Sequence, residues 1–178
     1  PNNAPMTTAT QSAVQTDSIR AMRREHKKFP RTGVTKEMVL EMAKENGVQF
    51  VDMQFTDILG VLKAVTIPAH KLEEAMDNNV WFDGSSIEGF TRITESDMYL
   101  KPDLNTFCVL PWTKNGEDVT ARLICDVYLP DGEAFEGDPR QILKKQLAEI
   151  KKLGYSFNTG PELEFFLFKK NEDGTFGP

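Results

Sequence analysis

The sequence predicts an α+β fold, and three features carry that expectation. Short runs near 51–55, 61–67 and 119–128 alternate apolar and polar residues with the two-residue period of half-buried strands. Two segments, opening at Thr35 and at Asp138-Pro139, instead have helical spacing behind good capping residues. Glycine-containing turns separate these pieces, so the first part of the chain reads as a small mixed sheet crossed by a helix.

Taken in order, Thr35 is an N-cap with Glu37 in the first turn, and Met38, Val39, Met42 and Ala43 form the inward stripe. Asn46-Gly47 ends that helix. Val51, Met53 and Phe55 then alternate with Asp52 and Gln54, and Leu59, Val61, Val65 and Ile67 line one face of a second run. Residues 56–60 turn between the two, which makes a hairpin. Pro68 opens a short helix with Leu72, Ala75 and Met76 inward, and His70 is a surface residue in its first turn. Residues 83–96 are expected to be a loop, followed by strands near 98–101, 106–112 and 119–128. Asp131-Gly132 is a turn. The helix opening at Asp138-Pro139 is expected to bury Leu143, Leu147 and Ile150 and to end at Gly154, with strands following at 155–159 and 161–168. A sheet that opens so close to Pro178 suggests a truncated chain. The expected domains are a disordered basic tail at 1–33, a first domain at 34–132 and the beginning of a second at 133–178.

Composition narrows the function classes. Of 178 residues, 39% are hydrophobic and 27% charged, the balance of a soluble globular protein. No run is long and apolar enough to span a bilayer, and the first residues lack a signal-peptide core. Lys and Arg cluster before Gly33, at Arg20, Arg23, Arg24, Lys27, Lys28 and Arg31, but the net charge of the whole is −6. A basic tail on an acidic body reads as solvated and argues against a nucleic-acid partner. Cys108 and Cys125 lie in strand-like runs; buried free thiols in a cytoplasmic protein are expected, with a cross-strand disulfide as the alternative.

Two segments carry candidate chemistry. In Gly160-Pro161-Glu162-Leu163-Glu164-Phe165-Phe166-Leu167-Phe168, a strand would place Glu162 and Glu164 on one face, with Cα atoms roughly 6.6–6.8 Å apart. Two carboxylates side by side repel unless a cation sits between them, and hard oxygen donors suit Mg²⁺ or Mn²⁺. Spacing alone is met as readily by two solvated glutamates. In Trp81-Phe82-Asp83-Gly84-Ser85-Ser86-Ile87-Glu88-Gly89-Phe90, Asp83 follows two aromatic residues and is expected to be partly desolvated and suited to a cation. The alternative is an ordinary Asx turn. The loop has no lysine of a phosphate-binding loop, and no Ser/His/Asp or Cys/His constellation stands out.

Taken together, these residues resemble a known family. Asn79 through Phe90, Glu95-Ser96-Asp97-Met98-Tyr99-Leu100 with Pro102-Asp103, Phe135 through Arg140, and Gly160 through Phe168 resemble, in order and spacing, the N-terminal part of class I glutamine synthetases. The resemblance runs from about residue 35 to 170 and leaves out the tail. It implies a β-grasp-like N-terminal domain followed by the first helix and strands of a catalytic domain. It also implies ATP-dependent ligation of ammonia to glutamate through a γ-glutamyl phosphate, with two divalent cations, Mg²⁺ or Mn²⁺, per active site. The implied assembly is a hexameric ring, usually doubled to a dodecamer, with each active site between the N-terminal domain of one subunit and the catalytic domain of the next.

By the same resemblance, Glu162 and Glu164 are metal ligands, one for each cation, and Asp83 binds ammonium and draws off its proton. Ser86 lies near the substrates. Arg92 matches an arginine implicated in sensing glutamine in the feedback-inhibited, non-adenylylated subgroup, whose partners include small regulatory proteins; a surface arginine paired with Glu88 or Glu95 is the alternative. Leu163 stands where many relatives have Pro. The chain alone is expected to be inactive. A ligase using a polyamine or another amine, and a non-catalytic β-grasp module, are the rival readings.

Overall fold

The computed structural model describes residues 32–87, 97–114 and 118–177. The predicted tail therefore lies almost wholly outside the described residues, as does Arg92. The chain divides into two units that meet between Gln141 and Ile142.

The first unit is a five-stranded mixed sheet with two helices. Helix α1 (Lys36–Glu45) starts where Thr35 accepts a hydrogen bond from the Met38 N–H, and buries Val39, Met42 and Ala43. Its stop at Asn46 is followed by Gly47 at φ +64°, a conformation that favours glycine. Strands β1 (Phe50–Thr56) and β2 (Leu62–Pro68) form the expected antiparallel hairpin. A single-turn 3₁₀ helix (Ala69–Lys71) leads into α2 (Leu72–Asn78), which buries Leu72 and Ala75. His70 is exposed. Strand β3 (Val80–Asp83) pairs antiparallel with β4 (Asp97–Val109), and β4 pairs antiparallel with β5 (Thr120–Tyr128). The sheet order is β2-β1-β5-β4-β3, with β1 and β5 parallel at the centre.

The two-residue period of the strands sorts this sheet into two faces. Val51, Met53, Phe55, Met98, Leu100, Ala121, Leu123, Cys125 and Val127 are buried with the inward residues of the two helices and form one core. The opposite parity carries Trp81, Asp83, Tyr99, Lys101, Asp103, Asp126 and Tyr128.

Several expectations need correction. Leu59 and Val61 are exposed in the turn before β2, because Asp57 folds that turn tightly: its Oδ1 accepts the N–H groups of Leu59 and Val61 at 3.0 and 2.8 Å. Residues 80–83 are a strand that the sequence alone does not anticipate; the loop expected at 83–96 begins on the last residue of that strand. The strands expected at 98–101 and 106–112 are one long strand, β4, with a register irregularity between Asp103 and Cys108. Thr106 patches the gap: its hydroxyl donates to the Asp103 carbonyl at 2.6 Å and accepts the Ile124 N–H at 2.7 Å. Both thiols are free, but Cys108 is exposed and only Cys125 is buried. Burial, reinforced by the neighbouring Asp126 carboxylate, pushes the Cys125 thiol up to about 12, so it is an inert core side chain.

Helix α3 (Pro139–Lys152) starts in the first unit and continues into the second. It ends at Gly154, φ +83°, as expected. None of its residues is buried, however; Leu143 and Leu147 are exposed rather than inward. Residues 155–168 form no regular strand, and only Lys169–Lys170 (β6) and Phe176–Gly177 (β7) pair, as a small hairpin. Alternation shapes a chain for a sheet, but a strand exists only where its N–H and C=O groups find a neighbour. Among the described residues nothing pairs with this run.

Candidate functional site

Asp83 is the last residue of β3, so its position is set by the β3–β4 ladder, in which it lies opposite Asp97. Its Oδ1 accepts the Ser85 N–H at 2.8 Å and the Ser85 hydroxyl at 2.6 Å. This Asx turn caps the 3₁₀ turn Gly84–Ser86. Both readings of the loop meet here, since a carboxylate that orders its own turn still presents charge at the end of a strand. The expected desolvation is not found: Asp83 is exposed. The preceding aromatics explain why, because the strand splits them. Phe82 packs inward against Phe55 at 5.0 Å, while Trp81 and Asp83 share the outer side. Ser86 is the last residue of the 3₁₀ turn, which closes where the Ile87 N–H donates to the Gly84 carbonyl at 3.0 Å.

Glu162 and Glu164 lie in the second unit, both exposed. Their segment has no regular secondary structure. The Phe166 and Phe168 rings are 6.3 Å apart, and Glu162 and Glu164 share their even-numbered parity. The donors are of the type that a divalent cation takes. Two carboxylates do not complete such a site, and no group of three or more His, Cys, Asp or Glu able to hold a metal occurs among the described residues.

Sequence reasoning missed a third cluster. Arg140, in the first turn of α3, donates to Asp126 at 2.5 Å and to Asp103 at 2.6 Å. Asp138, fully buried, accepts the Arg140 N–H through Oδ1 and the Val127 N–H through Oδ2, both at 2.9 Å. Burial lifts the Asp103 carboxyl, but the hydrogen bonds from Arg140 and Asn105 more than reverse this and hold it below the usual carboxylate range. Burial likewise works against the Arg140 charge, and its two carboxylates outweigh it. For Asp138 burial wins and its pKa is raised. The cluster joins β4, β5 and the start of α3. The sequence marks Asp138 as a helix cap and Asp103 and Arg140 as parts of resembling motifs, but nothing local pairs Arg140 with Asp103 or with Asp126, which are 37 and 14 residues away.

Comparison with known proteins decides the family. The family model described as Glutamine synthetase, beta-Grasp domain matches residues 47–130, and the one described as Glutamine synthetase, catalytic domain matches residues 136–177. The chain belongs to the glutamine synthetase family. A glutamine synthetase of Clostridium saccharobutylicum is 57% identical over 140 residues, which cover 79% of this chain and 31% of that protein. One of Staphylococcus aureus strain Mu50 is 56% identical over 147 residues, covering 82% and 33%. The chain thus spans about a third of the length of these relatives. Among solved structures, the GmaS/ADP complex in conformation 1 matches with a TM-score of 0.58 at 29% identity, over 65% of this chain and 26% of that one. Plasmodium falciparum glutamine synthetase, at 24% identity and a TM-score of 0.60, covers 67% and 23% and shares the fold. No helix among the described residues is long and apolar enough to cross a membrane.

Proposed function

We propose that this chain supplies the β-grasp domain and the opening of the catalytic domain of an enzyme that ligates ammonia to glutamate at the expense of ATP. The observation that carries this is the pair of consecutive family matches, β-grasp then catalytic, along one chain. The catalytic match supports an enzyme over a stand-alone β-grasp module. The curated relatives that are 55–57% identical are named glutamine synthetases, which favours ammonia over a polyamine or another amine.

In this reading Asp83 attracts ammonium and takes its proton, so that a neutral amine attacks the activated glutamate; its place at a strand end, with Oδ1 anchored by Ser85, holds the carboxylate in one orientation. Ser86 contributes beside it. Glu162 and Glu164 are ligands of two divalent cations, Mg²⁺ or Mn²⁺, which supply charge neutralisation for phosphoryl transfer. The rest of the ligand set comes from catalytic-domain residues outside this sequence, and subunits assemble as hexameric rings, doubled to a dodecamer, so that Asp83 faces a neighbour's catalytic domain. Arg92 senses glutamine for feedback control, alongside regulatory proteins of nitrogen signalling.

The test is ADP release by the full-length protein with glutamate, Mg²⁺ and ammonium or putrescine, beside Asp83→Asn. Ammonium-dependent turnover that falls steeply in the variant establishes the reaction and the role of Asp83. Turnover with putrescine alone moves the assignment to a different amine.

A further inference from the structure

Trp81 sits two residues before Asp83 on the same side of β3, and its side chain is 55% exposed. Its ring lies 5.2 Å from that of Tyr99, tilted by 48°, and Tyr99 in turn stacks on Tyr128 at 5.4 Å. A ladder of three aromatic rings therefore crosses β3, β4 and β5 on the face away from the core, with a carboxylate at its β3 end. The face already holds one cation: the Lys101 ammonium lies 5.7 Å from the centroid of the Tyr128 ring. Aromatic faces attract ammonium groups through the ring quadrupole, indole most strongly. A carboxylate and an indole on the same strand face, two residues apart, have the chemistry of a small-cation site. The carboxylate supplies charge; the ring supplies an attraction that persists when the cation carries alkyl groups, which a carboxylate alone disfavours.

We propose that Trp81, braced by Tyr99, forms the aromatic wall of the amine subsite at Asp83 and sets both its affinity for ammonium and its tolerance of small alkylammonium ions. This rests on the amine-ligase reading above and assigns to that site a residue outside the roles already given. Tyr99 acts as a positioning residue, holding the indole.

The experiment measures steady-state kinetics of the full-length enzyme with ammonium, methylammonium and putrescine for the parent, Trp81→Phe, Trp81→Leu and Tyr99→Leu, with gel filtration of each. Trp81→Leu is expected to raise the amine KM roughly three- to ten-fold, leaving the glutamate and ATP KM values unchanged. Trp81→Phe retains part of the effect, and methylammonium suffers more than ammonium. Tyr99→Leu gives a smaller shift of the same kind. An amine KM in Trp81→Leu equal to the parent's overturns the inference while leaving the ligase reading standing. So does loss of oligomer without an amine-selective shift, which makes Trp81 an interface residue. If the parent uses an amine other than ammonium, the same comparison is made with that amine; no turnover with any amine removes both readings.

Discussion

Asp138 accepts the backbone N–H of Val127 at 2.9 Å, so the residue that caps α3 is also bonded to the central strand of the sheet. A surface cap satisfies only its own helix. This one is fully buried and serves two backbone donors, one from β5 and one from Arg140 in the helix. Asp138→Ala leaves both N–H groups without their acceptor and removes the cap, at a cost of about 2–4 kcal/mol. Asp138→Asn keeps one acceptor but turns an amide N–H toward a donor, and falls between. Urea denaturation monitored by the sheet signal checks this; an alanine variant as stable as the parent would show that the cap is dispensable.

The Arg140 bridge gives the protein a specific acid sensitivity. Asp103 has a folded pKa below its ordinary value, so the unfolded chain binds its proton more readily. Its stabilisation is complete above the unfolded value of roughly 4 and is lost as pH falls through the lower folded value. Asp138 runs the other way: its raised pKa means that its charged form weakens the fold, a cost relieved as pH falls. The difference between parent and Asp103→Asn isolates the first group. The variant is expected to be less stable at pH 7 and to lose less stability on acidification to pH 3. Parallel Tm-versus-pH curves would exclude a contribution from Asp103.

Local chemistry explains which elements the sequence made legible. Thr35, Asn46-Gly47, the hairpin, Asp131-Gly132 and Asp138-Pro139 are signals that a few neighbouring residues complete, and each lies where expected. Strand β3 has only four residues and exists because β4, which begins 14 residues later, pairs with it. The continuity of β4 depends on Thr106 bridging to Ile124, a contact 18 residues away. The same limit applied at the candidate site. Asp83, Glu162 and Glu164 stand out from local pattern and take their roles from the resemblance, but the exposure of Asp83 and the presence of Trp81 beside it follow from strand parity, which becomes visible only once β3 is known to be a strand.

Residues 155–168 provide a direct test of pairing. Their apolar side chains are strongly exposed, Leu163, Phe166 and Leu167 at 87% each, and no backbone ladder covers them among the described residues. In a sample of this 178-residue chain, their amides are expected to exchange with solvent within seconds to minutes, while those of β1 and β5 are protected as the centre of the sheet. The same exposure makes the segment prone to self-association. Uniform, strong protection of 155–168 in a monomeric sample would mean that the run pairs within the chain after all.

The metal assignment has a readout independent of turnover. If Glu162 and Glu164 are ligands, each replacement removes one carboxylate oxygen donor and one negative charge from a site that needs both. Glu172 is exposed, close in sequence and of the same charge, and lies in the β6–β7 turn, so it controls for the general loss of an acidic group. In the full-length protein, titration of Mn²⁺ followed by electron paramagnetic resonance is expected to show Kd raised at least about ten-fold by Glu162→Gln and by Glu164→Gln, with Glu172→Gln unchanged. Because the resemblance places the two carboxylates on different cations, each single variant should weaken one class of site and leave the other titrating. Equal Kd values for all three variants would make 162 and 164 solvated glutamates, the reading that their spacing allows as readily.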